Sequence, residues 1–225
     1  MDTLERLNEK IVHCAKCPRL RRHCRAVAKE KKREFREWEY WGKPVPGFGD
    51  PSASLWIVGL APAAHGANRT GRMFTGDSSG RWLYRALHLT GFANQPDATD
   101  RKDGLVLHGA YISAACRCAP PDNKPSPTEI RACEPFLDAE FQLLKKRRII
   151  LVLGQIAHKA VLDLLRREGS PVPSPRPKFG HGALHSLGEH TVLCSYHPSR
   201  QNTQTGRLTE QMWFAIFEKA RELVS

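Results

Sequence analysis

Several things are missing from this 225-residue sequence. No apolar run approaches the ~20 residues needed to span a bilayer. The start, Met1-Asp2-Thr3-Leu4-Glu5-Arg6, has no apolar signal core. A cytoplasmic protein without a membrane partner is therefore expected. Neither a G-x-G-x-x-G nor a P-loop signature is present, which argues against a nucleotide-binding enzyme of the doubly wound type. There is no internal repeat. Acidic residues are scarce, with Asp+Glu 23 against Lys+Arg 35 and a formal net charge of +12. That balance favours a polyanionic partner, nucleic acid before an anionic membrane surface. The seven cysteines are an odd number, and in the cytosol they are expected to be thiols or metal ligands, not disulfides.

What is present reads as one domain over residues 1–225, a length that buries a sizeable core without disulfides. Leu4, Leu7 and Ile11 have helical spacing, with Asp2 as N-cap. Residues 19–40 carry mixed charges and read as a solvated helix, followed by a Pro/Gly loop from Lys43 to Pro51. Leu55-Trp56-Ile57-Val58 and Ile149 to Leu153 are unbroken apolar runs of the kind found in buried parallel strands. Leu105–Leu107 with Tyr111–Ala115 reads as one strand or as a strand and its approach, and Thr191–Tyr196 as the last strand. Helical patterns lie between and after these runs. One begins at Ser126-Pro127-Thr128-Glu129; another carries Ile156, Ala157, Ala160 and Val161; the last carries Met212, Phe214, Ile216 and Phe217. The proline-rich stretch 169–182 is a loop. Strands alternating with helices predict an α/β fold with a central parallel sheet.

Ligands bind at the carboxyl ends of strands in such sheets. Residues 59–80, 118–125 and 197–207 all follow strands, so they are expected to converge on one cleft. The first is punctuated by Gly59, Gly66, Gly71, Gly76 and Gly80, which would let backbone approach a ligand. It also supplies His65, Asn68, Arg69, Thr70, Arg72 and Asp77 as polar groups. Asp77 is equally placed to cap a helix starting near Ser78.

Cys14 and Cys17 form a C-x2-C pair, and fourteen residues separate Cys118 from Cys133. This spacing alone leaves zinc, an iron–sulfur cluster and unrelated buried thiols open. Cys116 competes with Cys118 for a ligand role. Cys194, inside an apolar strand, reads as core.

Gly59-Leu-Ala-Pro62, Thr70-Gly-Arg-Met-Phe74-Thr-Gly-Asp77, Arg117-Cys118-Ala-Pro-Pro with Cys133, and His197-Pro-Ser occur in this order. Together they resemble the uracil-DNA glycosylase superfamily, and within it the family 5 (B-type) iron–sulfur enzymes. The resemblance covers most of the chain, from Cys14 to about Arg207. It implies a three-layer αβα sandwich and a [4Fe–4S] cluster held by Cys14, Cys17, Cys118 and Cys133, away from the chemistry. The N-terminal segment, about residues 1–50, would contribute to that cluster site.

The implied activity is excision of uracil from DNA, double- or single-stranded, by a monofunctional enzyme acting as a monomer. The target nucleotide must leave the stack to be reached. By resemblance, Phe74 stacks on the flipped base and His197 bonds its carbonyl and stabilises the departing anion. Ser199 to Arg207 forms the loop that enters the minor groove, with Arg200, Gln201, Asn202 and Arg207 contacting DNA. Related families place a polar or acidic residue in the first motif, where this chain has Leu60 and Ala61; the water-activating role then passes to Asp77. Ala114 stands where family 4 relatives have a base-reading asparagine, so Asn123 is the substitute. Ala61 and Ala63 line the base pocket, and the small Ala63 implies a looser pocket that admits other deaminated bases such as hypoxanthine. The alternative from another class is a non-catalytic, metal-stabilised nucleic-acid-binding protein.

Overall fold

The computed structural model describes residues 3–225. Helix α1 (Leu4–Val12) is capped by Thr3, whose side chain accepts from the Arg6 amide; Asp2, the expected cap, lies outside the described residues. Helix α2 (Pro18–Glu30) follows the C-x2-C pair, with proline in its first turn. The expectation of a solvated helix over 19–40 needs correction. α2 ends at Glu30 and buries Leu20, Arg21 and Cys24, and a separate 3-10 turn occupies Arg33–Phe35.

Strands β1 (Phe48–Gly49), β2 (Leu55–Gly59) and β3 (Ala110–Ala114) are followed by β4 (Ile149–Leu153), β5 (Leu184–Leu187) and β6 (His190–Ser195). They form one sheet of order β1-β3-β2-β4-β6-β5. The inner strands β3, β2, β4 and β6 are mutually parallel, as expected, whereas β1 and β5 are antiparallel edges. Residues 105–107 are not part of a strand; Leu107 makes only a single bridge, to Ala93. β5 was not expected. Leu184 and Ser186 are exposed, His185 is half-buried and Leu187 is buried, and the strand pairs with β6 as a hairpin.

Alternate residues on each inner strand point into opposite cores. Leu55, Ile57, Ile112, Leu151 and Leu193 pack against helices α4 (Ser78–Leu89) and α8 (Glu210–Val224). Trp56, Val58, Ile150, Val152 and Val192 pack against α1, α5 (Pro127–Leu143) and α6 (Gln155–Arg167). This is the three-layer αβα sandwich. Two short helices, α3 (Ala67–Thr70) and α7 (Arg200–Gln204), sit in the loops that follow β2 and β6.

α5 begins with the expected cap, a reciprocal box in which Ser126 and Glu129 each satisfy the other's backbone N–H. Ile156 departs from the expected apolar face of α6. It is 42% exposed, at the mouth of a cleft. Among the described residues no helix is long and apolar enough to cross a membrane.

Candidate active site

A cleft of about 960 Å³ opens at the carboxyl ends of the parallel strands. The three expected loops converge there. Its walls include Leu60 to Gly66 and, Thr75 apart, Met73 to Ser79 from the loop after β2, Asp122 and Asn123 from the loop after β3, and, Pro198 apart, His197 to Gln201 from the loop after β6. Of the proposed base-contacting residues, Ala61, Ala63, Phe74, Asn123 and His197 all line it, as does Asp77.

Phe74 sits in the left-handed region at φ 53°, a conformation that favours glycine and stores strain in a bulky residue. Its ring lies over Gly59, where a Cβ would come within 3.0 Å of it. The Phe74 and His197 rings are 5.8 Å apart and tilted by 31°, so together they form one aromatic wall. Burial pushes the His197 imidazole down to about 4, which keeps it neutral near pH 7. Its backbone carbonyl accepts from Asn202 Nδ2 at 2.8 Å.

Asp77 caps α4, accepting the Gly80 amide on Oδ1 at 2.8 Å. Oδ2 lies against Gly66, where a Cβ would be 2.2 Å from it. Desolvation raises the Asp77 carboxyl above its ordinary value, opposed by the Gly80 and Ser79 amides and by Arg69. Two of the loop glycines have close neighbours of their own. Gly66 makes room for the Asp77 carboxylate, and a Cβ on Gly80 would stand 1.8 Å from the Phe74 carbonyl oxygen. These two glycines make room for the protein's own groups, the Asp77 carboxylate and the Phe74 backbone.

Most of the loop's polar groups also turn inward. Asn68 is fully buried and donates to the Cys24 and Ala64 carbonyls. Arg69 lies over the Phe35 and Trp38 rings, 3.8 and 4.1 Å from their centres, and donates to the carbonyls of His65 and Gly76. Thr70 caps backbone carbonyls within the loop. Arg72 makes a bidentate pair with Asp103, at 2.8 and 2.7 Å. Besides Asp77, His65 is the one member of this group that reaches the cleft among the described residues, held at 3.0 Å by Tyr40 Oη.

Two contributions were missed from sequence. Lys32, Glu34 and Phe35 line the cleft, from a segment whose charge pattern looked like an exposed helix face. The first turn of α6, Gly154 to Ala157, forms another wall. The residue before a helix that follows a parallel strand was the available signal for the second. Of the proposed DNA contacts, Arg200 and Gln201 line the cleft, but Asn202 turns back onto His197 and Arg207 lies over the Tyr196 ring. The segment expected as a loop is the short helix α7, with Ser199 as its cap. Asn123 has φ 56°, faces the cleft, and its side chain makes no hydrogen bond among the described residues.

Six of the seven cysteines, all but Cys194 on β6, lie where α1, α2 and α5 meet the loop after β3. Cys14 and Cys17 are half-buried; Cys118 and Cys133 are buried. Cys17 lies in the field of Cys133 and Cys14, and packs against the cluster of Leu20, Cys24, Cys118 and Ala119. Arg21 Nη1 approaches Cys118 Sγ at 3.8 Å, a cation suited to a thiolate. The donor set fits a soft metal centre. Two further thiols are close by: Cys116 faces Cys133, and Cys24 faces Cys118.

Fold and cleft together define an α/β enzyme class in which an aromatic ring, a neutral imidazole and an aspartate meet at the ends of parallel strands. Residues 46–221 match the family model described as the uracil DNA glycosylase superfamily. The chain is 48% identical over 219 residues to a type-5 uracil-DNA glycosylase of Mycobacterium tuberculosis, covering 96% of this chain and 80% of the relative. It is 48% identical over 213 residues to a type-5 enzyme of Thermus thermophilus, covering 93% of each. A type-4 uracil-DNA glycosylase of Pyrobaculum aerophilum is 31% identical over 199 residues, covering 87% and 83%. The chain belongs to the uracil-DNA glycosylase superfamily, in its type-5 branch.

Proposed function

We propose that this chain is a DNA-repair glycosylase that extrudes uracil from DNA and hydrolyses its N-glycosidic bond, leaving an abasic site. The observation that carries the reading is the meeting of Phe74, His197 and Asp77 in one cleft. A planar base extruded from the stack gains about 1–3 kcal/mol on an aromatic face such as Phe74. His197, neutral at working pH, donates an N–H to a base carbonyl without presenting a cation to the incoming nucleotide. As the bond between N1 and the sugar breaks, both electrons leave with the base, and that hydrogen bond stabilises the anion.

Asp77, with one oxygen fixed by Gly80, is the group that takes a proton from the attacking water. Its negative charge also opposes the positive charge developing on the sugar. The water oxygen bonds to the sugar carbon and its proton goes to Asp77. Asn123 supplies an amide for the base edge. The small side chains of Ala61 and Ala63 leave room for other deaminated bases, hypoxanthine among them.

Arg200 and Gln201 meet the DNA at the mouth of the cleft, helped by the overall charge of +12. Asn202 and Arg207 act in the same segment, Asn202 by holding His197. The protein works in the cytoplasm as a monomer on double- or single-stranded DNA, with residues 1–225 as one domain. Cys14, Cys17, Cys118 and Cys133 hold a [4Fe–4S] cluster that ties the N-terminal segment, residues 1–50, to the loop after β3. When bound, the cluster supplies a covalent brace and no step of the hydrolysis.

Base release decides between this reading and a non-catalytic nucleic-acid-binding protein, since both predict salt-sensitive binding. Oligonucleotides containing uracil or hypoxanthine, incubated with the protein and no added cofactor, are expected to acquire alkali-labile abasic sites. His197→Ala is expected to lose most of this activity while DNA binding persists. Binding without base release would establish the alternative.

A further inference from the structure

Behind the cleft wall, three side chains that the glycosylase chemistry does not use come together. They are His158 in the first turn of α6, His185 on the edge strand β5 and Cys194 on β6. One ligand atom from each lies within 4.8 Å of the other two. The topology explains why. His185 pairs directly with Val192, and Cys194 is two residues further along β6, so His185 and Cys194 share one face of the hairpin as diagonal neighbours. That face packs against α6, which presents His158.

Each group can offer one ligand atom. His158 is only 4% exposed, and its Nε2 has no hydrogen-bond partner among the described residues. A buried polar atom left unpaired carries a penalty of about 1–3 kcal/mol, so its isolation calls for a partner. His185 Nε2 lies 3.1 Å from the Lys178 carbonyl oxygen. A carbonyl only accepts, so Nε2 bears the proton and Nδ1 keeps its lone pair. Metal-bound histidines are commonly oriented by this same bond from the distal ring nitrogen to a backbone carbonyl. Cys194 is fully buried and adds a soft sulfur donor. His185 is only half-buried, which leaves a path from solvent.

We propose that His158 Nε2, His185 Nδ1 and Cys194 Sγ form a second metal site, for a zinc-like divalent cation, with a fourth position open to water. Two imidazoles and one thiolate suit zinc, whose bonds of about 2.0 Å to nitrogen and about 2.3 Å to sulfur place ligand atoms about 3.5 Å apart. The present cluster, with its ligand atoms within 4.8 Å of one another, would have to close to that spacing on binding. Binding sends the Cys194 thiol proton to solvent. The site would join α6 to the β5–β6 hairpin beside two parts of the cleft, since Gly154 to Ala157 line it and β6 leads through Ser195 and Tyr196 to His197.

The test uses the full chain purified with its iron retained, titrated with Zn²⁺ and, in parallel, with Co²⁺ as a spectroscopic substitute. Expected are one equivalent of zinc per chain beyond any iron, a thiolate-to-cobalt charge-transfer absorption, and a metal-dependent rise in melting temperature. His185→Ala, at a half-exposed position, should weaken binding by about tenfold or more and remove the rise. Cys194→Ala should remove the charge-transfer absorption. Cys24→Ser, which alters a different thiol and is expected to keep the iron, should keep the cobalt signal. The proposal is overturned if the parent binds no equivalent of zinc, or if His185→Ala binds zinc and shifts in melting temperature as the parent does. It is also overturned if Cys24→Ser alone abolishes the cobalt signal. If Cys194→Ala does not fold, His185→Ala still decides.

Discussion

Ser79 Oγ donates to the Pro198 carbonyl oxygen at 2.9 Å, and this one bond joins the loop that carries Asp77 to the loop that carries His197. Ser79 also lies in the first turn of α4, two residues after the Asp77 cap. A shift of either loop would therefore change the distance between the proposed water-activating group and the base-binding imidazole. Ser79→Ala is expected to fold normally and to lower kcat by about tenfold with a smaller change in KM. That corresponds to one hydrogen bond of about 1.4 kcal/mol. Steady-state base release with melting curves for both proteins checks it. An unchanged kcat would show that the tether is incidental.

Gly66 is a sharper test of the Asp77 position. A Cβ there would lie 2.2 Å from Oδ2 and 2.9 Å from Cγ of Asp77, so Gly66→Ala must displace the carboxylate. A displacement of about 1 Å at a reacting group is expected to reduce turnover by about a hundredfold. The fold should survive, because Asp77 can rotate toward the cleft. If Gly66→Ala turns over at the parent rate, the water-activating role of Asp77 is wrong.

The pH profile follows from two opposite shifts. Burial holds His197 down to about 4, so no loss of rate is expected near about pH 6.5, where an ordinary histidine titrates. Desolvation raises Asp77, so the acid limb of kcat/KM should lie above that of an exposed aspartate. A single-turnover profile in the parent and in Asp77→Glu measures both. An inflection near about pH 6.5 that disappears in His197→Asn would contradict the neutral assignment.

Arg72 and Asp103 form a pair that is 4% and 11% exposed and bidentate, and Asp103 also accepts the amides of Thr99, Asp100 and Leu105. Against the penalty of burial, the Arg72 guanidinium and these amides hold the Asp103 carboxyl down to about 2. A carboxylate with a depressed folded value stabilises fully above its unfolded value near about 3.9, and the contribution is lost as pH falls through about 2. Asp103→Asn leaves a buried guanidinium unpaired and is expected to destabilise by about 3 kcal/mol at neutral pH. The difference between parent and variant should shrink below about pH 4. Denaturant unfolding at several pH values checks both the size and the sign.

The competing thiols give the last test. Serine at Cys14, Cys17, Cys118 or Cys133 is expected to abolish bound iron and visible absorbance, whereas Cys24→Ser and Cys116→Ser are expected to retain both. Iron retained in Cys118→Ser and lost in Cys116→Ser would move the ligand role to Cys116, which faces Cys133.

The sequence alone was enough for the layers. Unbroken apolar runs such as Ile149 to Leu153 are buried on both faces only when helices cover both, and that periodicity is local. The cap at Ser126 and the convergence of loops at strand ends were legible for the same reason, since each depends on neighbours in the chain or on a general property of parallel sheets. Tertiary structure decided the rest. The antiparallel edges β1 and β5 depend on which free strand edge a short segment meets, and their own residues do not encode that. The inward turn of Asn68, Arg69 and Arg72, against the ligand-facing role their polarity suggested, was set by partners as distant as Cys24, Trp38 and Asp103. The meeting of His158, His185 and Cys194 likewise required the register of a hairpin and the packing of a helix against it.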